Sequence, residues 1–301
     1  MHKKTNQFKK GKKPSLVFLV KERLNSKKRY GHSKHLDKEN PDIDTKDYIY
    51  STKTFKNYLQ WCVDFAKYCK IQNPKIKTLI DCEQYIGNYI DYMIKEKGYS
   101  PSTINSKLSA LTKITPYSVD EMKDMTTTVA PKRTRASITN NRGPKPDSNT
   151  FSEKNHQELV NFIKATGLRK SGLNRVRISD IDIKAQTITI KEKGGKVRTS
   201  EILDMNAVLV VIEKAQANSQ DKLFGGKSFK NPKECPSHRY RQDYAQTLYK
   251  KYARSLSTLL HYEKYTCRKD KAGIVYDRKA MMIVSNNLGH NRIDVIATSY
   301  L

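Results

Sequence analysis

Asn286-Asn287-Leu288-Gly289-His290-Asn291-Arg292-Ile293-Asp294-Val295-Ile296-Ala297-Thr298-Ser299-Tyr300-Leu301 is the stretch on which the reading of this chain turns. A Leu-Gly-His turn is followed, ten residues after the histidine, by a tyrosine. Two earlier fragments give it meaning: Thr166-Gly167-Leu168-Arg169 and His238-Arg239-Tyr240-Arg241. A phosphodiester anion repels nucleophiles, and its displacement develops charge on the oxygens around phosphorus. Without a metal, the protein must supply fixed cations and donors. Arginine suits this, being always charged and presenting a fork to two oxygens. Arg169 and Arg241 are the candidates, because T-G-L-R follows an apolar helix and H-x-x-R opens the next helical block. Together the two arginines, two histidines and one tyrosine form a set able to attack a phosphodiester.

The composition agrees with such a partner. The 301 residues carry 58 Lys+Arg against 30 Asp+Glu, a formal charge of +28. A compact fold with that excess repels itself, so a polyanion is expected, nucleic acid ahead of an anionic membrane surface. No segment approaches the roughly 20 apolar residues of a membrane span. The early apolar run Leu16-Val17-Phe18-Leu19-Val20 is too short for a signal peptide and lacks a small-residue cleavage site. A soluble, cytoplasmic, nucleoid-associated protein is expected. Five scattered cysteines suggest reduced thiols. Cys235 and His238 have a C-x-x-H spacing, with His261 and Cys267 further on, but no second closely paired unit follows, so no metal is expected.

Outward from these motifs the chain divides into four segments. Residues 1–44 are a Lys-rich extension, read as a solvated arm that follows DNA phosphates. Residues 45–118 have helical periodicity: Phe55, Leu59, Cys62, Val63, Ala66 and Cys69, then Cys82 through Ile94 with Gly98 at the helix end, then a helix opened by Ser100-Pro101 and stopped before Pro116. Lys53, Lys56, Asn105 and Lys107 are the exposed DNA-binding candidates there. Residues 119–150 lose periodicity and read as a basic linker, with Lys132, Arg133 and Arg135 placed to follow a duplex. Residues 151–301 open with a helix ending at Gly167 and a second from Arg169 to about Val176. A hairpin about Gly194-Gly195 comes next. Further helices surround a second small hairpin between Tyr265 and Tyr276, and one from about Asp277 ends at Gly289.

In this order the motifs resemble the tyrosine recombinases of the phage integrase family. The residues that carry the resemblance are A-T-G-L-R-K-S-G-L with S-D-I-D (165–182), I-T-I-K-E-K-G-G-K-V-R (188–198), H-R-Y-R (238–241), L-G-H (288–290) and Tyr300. S-P-S-T-I with L-S-A-L (100–111) is similar to the helical domain that precedes the catalytic domain in that family. Coverage runs over about 45–301. The resemblance implies a mainly α fold with a small β-sheet: a helical SAM-like core-binding domain and an α+β catalytic domain. It implies Tyr300 as the nucleophile that forms a 3′-phosphotyrosyl link, with Arg169 and Arg241 clamping the phosphate. Lys193, or its rival Lys196, would protonate the leaving 5′-oxygen. His238 would assist the tyrosine's proton transfer and His290 would hydrogen-bond the phosphate. It further implies four copies on a double-stranded recombination site, an accessory DNA-bending or directionality protein as a possible partner, and no cofactor.

Three departures stand out. Gly172 replaces the acidic residue that usually follows R-x-S, leaving Asp180 as a substitute. Arg241 and His290 are 49 positions apart, an insertion that takes in the second hairpin. The sequence stops one residue past Tyr300, without the tail many relatives dock on a neighbour. Competing classes are a DNA-binding protein of the same fold without catalysis, a type IB topoisomerase, and an RNA-binding or ribosomal protein suggested by charge alone.

Overall fold

The computed structural model describes residues 14–129, 151–191, 197–224, 235–268 and 271–301. The chain divides into two compact units, Met1–Ile138 and Thr139–Leu301.

The first unit is helical. α1 (Leu16–Ser26) is capped by Ser15, whose hydroxyl accepts from Phe18 N at 3.2 Å. Its buried residues Leu16, Val20 and Leu24 fall at four-residue spacing and join the main core. A short helix, α2 (Lys34–Asp37), follows, and the return is pinned by a bridge between Lys28 and Ile49 and by Tyr50 Oη donating to Asp37 at 2.8 Å. The expected solvated arm is therefore corrected from residue 14 onward, because the lysines that flank the helix, at 9–13 and 27–28, gave the whole segment a basic character. α3 (Thr52–Gln72) buries Phe55, Cys62, Phe65, Ala66 and Cys69. The next helical pattern is broken into α4 (Ile80–Glu83) and α5 (Ile86–Lys95), with Tyr85 outside helical geometry between them. α6 (Pro101–Leu111) starts with Ser100 as cap and proline in its first turn.

The sequence also hid α7 (Val119–Asp124), which falls in a stretch read as linker. Ser118 and Glu121 form a capping box around it, and Met122 is fully buried. Lys107 is a second correction. It is 6% exposed, with Nζ 3.7 Å from Asp64 and lying over the rings of Trp61 and Tyr99. It is a packing residue whose stem covers apolar surface, not a free DNA ligand. Lys53, Lys56 and Asn105 are exposed. Lys132, Arg133 and Arg135 lie outside the described residues.

In the second unit, α8 (Gln157–Thr166) ends on Gly167 in the left-handed region at φ 61°. α9 (Lys170–Leu173) is shorter than expected, since Arg169 is extended and serves as its N-cap. β1 (Ile181–Asp182), β2 (Thr187–Lys191) and β3 (Val197–Glu201) form an antiparallel sheet in that order. Ile188 pairs with Ser200 and Ile190 with Arg198, and all four are buried. The intervening turn, with Lys193 and Lys196, lies outside the described residues. α10 (Met205–Ala217) packs beside α8. α11 (Ser237–Tyr252) leads to the second hairpin, β4 (Lys264–Thr266) and β5 (Val275–Asp277), in which Tyr265 pairs with Tyr276 as expected. α12 (Arg278–Asn287) starts at the Asp277 cap and is followed by Gly289 at φ 68°; α13 (Ile293–Ser299) brings in Tyr300. One core joins α8, the sheet and α10. Another joins α11, α12, α13 and Tyr300. The mainly α fold with small sheets is the one expected.

Gly167 is required twice over. Its backbone is left-handed, and a Cβ there would lie 2.5 Å from Tyr244 Cδ1. Gly273, at φ 90°, has nothing within 4 Å of a Cβ. Gly273→Ala is expected to cost only backbone strain, about 1–2 kcal/mol, whereas Gly167→Ala adds about 1–3 kcal/mol of overpacking. Urea unfolding of the two variants checks this; equal midpoints would refute the close approach.

Candidate active site

Four segments far apart in sequence converge at the end of α8. Gly167 turns the chain so that Arg169 emerges at the start of α9. Arg241 lies in the second turn of α11. His290 follows Gly289, and Tyr300 follows α13. The turn that presents His290 has two left-handed residues, Gly289 and Asn291. Buried Ser285 holds it: Ser285 O accepts from His290 N at 2.9 Å, and its hydroxyl accepts from Arg292 N at 2.8 Å and donates to Arg292 O at 2.9 Å.

Arg241 is the centre of the arrangement and has no exposed surface. Its Nη1 donates to Gly167 O, its Nη2 to Leu288 O at 2.6 Å, and its Nε to Tyr300 Oη at 3.2 Å. No carboxylate forms an ion pair with it among the described residues. Burial is the main cause that lowers its pKa, to about 10, and Arg169 and Arg198 push the same way. A guanidinium does not deprotonate near neutrality. Tyr300 acts in the opposite direction, and burial outweighs it.

Tyr300 is 3% exposed, and its hydroxyl lies 3.1 Å from His290 Nε2, with ring centroids 5.4 Å apart. Arg169 Nη2 reaches the same His290 nitrogen at 3.3 Å. Arginine can only donate. A hydrogen bond from Arg169 therefore requires Nε2 to be the unprotonated nitrogen, whose one lone pair can take the phenolic proton only when Arg169 donates elsewhere. Arg241 already donates to the phenol oxygen, so the phenol's own hydrogen is available for His290.

The structure thus brings together Arg169, Arg241, His290 and Tyr300. His238 is exposed in the first turn of α11. Lys193 lies outside the described residues. Asp180 does not replace the missing acid: its carboxylate accepts from Arg177 N at 2.9 Å and caps a local turn. Backbone carbonyls of Gly167 and Leu288 hold Arg241 instead.

Sequence reading missed Arg198. It is 5% exposed, and its Nη1 donates to Asn287 O and Ser200 Oγ at the end of α12. Asn287 is locked further by Glu201 N donating to its Oδ1 at 2.7 Å. The signal was present in the alternation of V-R-T-S-E, which puts Arg198 on the same strand face as Ser200. Among the described residues no three His, Cys, Asp or Glu side chains gather as a metal-ligand set, and no helix is long and apolar enough to cross a membrane.

A helical unit, an α+β unit and paired arginines around a tyrosine are what the chain presents for comparison. Residues 146–301, over half of the sequence, match the phage integrase family, and the chain belongs to that family. Its enzyme class is the tyrosine-type site-specific recombinase. No curated protein matches the chain. Among solved structures, XerH site-specific recombinase bound to palindromic difH substrate, a post-cleavage complex, is 14% identical at a TM-score of 0.53, over 95% of this chain and 90% of that one. The pre-cleavage complex of XerH with difH is 16% identical at 0.51, over 95% and 91%. The Tn1549 transposon integrase with transposon right end DNA is 14% identical at 0.41, over 94% of each chain. At these identities the XerH likeness speaks for the fold.

Removing the Arg241 side chain orphans two buried carbonyls, each worth about 1–3 kcal/mol. Arg241→Ala should lower stability by about 2–5 kcal/mol, and half-buried Arg169→Ala by less than about 1 kcal/mol. Denaturant unfolding decides, and an Arg241→Ala protein as stable as its parent would remove Arg241 from the centre of the unit.

Proposed function

We propose that this chain cuts and rejoins double-stranded DNA at a specific site through a 3′-phosphotyrosyl intermediate. The observation that carries the reading is Tyr300 Oη, held 3.2 Å from Arg241 Nε and 3.1 Å from His290 Nε2. The phenol is thus next to both a cation that fits a phosphate oxygen and a base that fits its proton.

In the proposed step, Arg169 and Arg241 bind the non-bridging oxygens of the scissile phosphate. Tyr300 Oη forms a bond to phosphorus while the bond to the 5′-oxygen breaks. The phenolic proton passes to His290, which the geometry favours over exposed His238 for this transfer. His238 is then left to the phosphate. Lys193, or Lys196, supplies the proton to the leaving 5′-oxygen, as in the family it resembles. The phosphoester energy is retained in the protein–DNA link, so a 5′-hydroxyl from a second duplex can reverse the reaction without ATP or cofactor. Two cleavages on each of two duplexes call for four copies of the chain. Exposed Lys53, Lys56 and Asn105, and linker residues Lys132, Arg133 and Arg135, are the proposed phosphate and groove contacts. An accessory DNA-bending protein and service to a mobile element complete the reading.

On a nicked suicide duplex carrying its site, the wild type should give a denaturant-resistant complex whose DNA is attached to the peptide containing Tyr300. Tyr300→Phe should bind the duplex and give none, and Arg169→Ala should lower the rate by about 100-fold or more. A covalent complex that survived Tyr300→Phe would assign the nucleophile elsewhere.

Chelation tests the proposed chemistry separately. Relaxed or recombined product should form at an unchanged rate after EDTA treatment, and loss of cleavage on chelation would point to a metal-dependent nuclease.

A further inference from the structure

α13 is only seven residues long, and a helix of that length does not sustain itself in water. Burial of Ile296 and Ala297 holds one side. Its last carbonyls have no partners within the helix, and side chains from elsewhere take them up. Lys271 Nζ donates to Ala297 O at 2.7 Å and to Leu301 O at 2.6 Å, one acceptor on each side of Tyr300. Gln246 of α11 adds a bond from Nε2 to Tyr300 O at 3.2 Å. The Lys271 charge also suits the negative end of the helix.

Lys271 lies in the connection between β4 and β5, within the insertion that separates Arg241 from His290. That hairpin has firm footings. Arg254 Nε and Nη2 donate to Asp277 at 2.8 and 2.9 Å, and Asp277 N donates to Tyr249 Oη at 2.9 Å. Asp277 itself has no exposed surface. The insertion thus carries a cation from a rigid base to the back of the tyrosine segment.

We propose that Lys271 is a positioning residue that fastens the tyrosine segment to its own chain, so that each chain attacks with its own Tyr300. Because its ammonium straddles position 300, that backbone cannot swing away without breaking at least one of the two bonds. Removing the ammonium breaks both bonds at once; it leaves the apolar packing of α13 in place but frees its end to leave the site and enter that of a second copy. The proposal rests on Tyr300 being the nucleophile.

The test uses the full chain on the nicked duplex. Tyr300→Phe is mixed with Arg169→Ala, so that phenol and complete phosphate clamp sit on different chains. With Lys271 intact, the mixture should yield no covalent complex, while the wild type does. Adding Lys271→Ala to the Arg169→Ala chain should yield a complex, attached to that chain, as a size tag reveals. Lys271→Ala alone should slow covalent complex formation by about 10- to 100-fold through misplacement of the phenol. Duplex affinity should be unchanged, and Lys271→Arg should restore the wild-type pattern. Amide hydrogen exchange should quicken in 293–301 and not in α8, which separates local release from loss of the fold. A complex from the mixture with Lys271 intact overturns the proposal, as does a Lys271→Ala chain that cleaves at the parental rate and only with its own tyrosine. Failure of the wild type to form any link overturns the nucleophile assignment itself, and the fastening role with it.

Discussion

Arg241 is a cation sealed inside the second unit and held by oxygen atoms that carry no formal charge. Its three bonds reach the end of α8 at Gly167, the end of α12 at Leu288, and Tyr300 beyond α13. One side chain thus ties together segments separated by 74, 47 and 59 positions. A carboxylate in place of either carbonyl would hold the guanidinium as well, but it would also neutralise it. Carbonyl dipoles fix the fork and leave its charge in force, which is what a phosphate site needs. The absent acidic residue at Gly172 is consistent with this: the support has moved to the backbone, and Asp180 serves a local turn instead.

Such a site opposes folding. Arg169 and Arg198 both act against the charged form of Arg241, and desolvation of an ion costs several kcal/mol. The opposing contribution is visible on either side of it. Leu159, Phe162 and Ile163 on one side, and Leu248, Met281 and Val284 on the other, belong to closed cores that flank the arginine. Ser285 then spends its hydrogen bonds on the turn between α12 and α13, where two residues adopt left-handed geometry, and Asn287 ties the end of α12 to β3. Rigidity is concentrated where the phenol must be aimed, at some expense of stability.

Legibility in the sequence followed the range of the interaction that makes each residue matter. The convergence of Tyr300, Arg169, Arg241 and His290 could be anticipated because their spacing motifs are local, and the glycines at 167 and 289 mark their turns directly. Both hairpins were readable from alternation and turn chemistry. What failed depended on surroundings. Residues 16–24 read as part of a basic tail because lysines flank this short apolar run on both sides. α7 was lost among linker residues although its S-x-x-E cap was in view. Lys107 was taken as a surface ligand, yet Trp61, Asp64 and Tyr99 enclose it. Arg198 was passed over because an arginine at an inward strand position declares itself only once the end of α12 is seen against it. That the His290 ring lies 3.1 Å from the phenol oxygen is likewise visible only in the fold.

The tyrosine segment poses a problem that its own sequence does not solve. A strand-transfer nucleophile must be held well enough to attack and loosely enough for DNA to replace its resting contacts. Tyr300 at rest occupies the Arg241 Nε–H that a phosphate oxygen would claim. In the proposed reaction, entry of the phosphate trades that bond for a stronger, charge-assisted one while the phenol stays within reach. The backbone bonds around Tyr300 are compatible with this trade, because they hold the chain at positions 297, 300 and 301 without engaging the phenol oxygen. Exchange of a phenol for a phosphate at one guanidinium nitrogen, above a fixed main chain, is the smallest movement that converts the resting site into a loaded one.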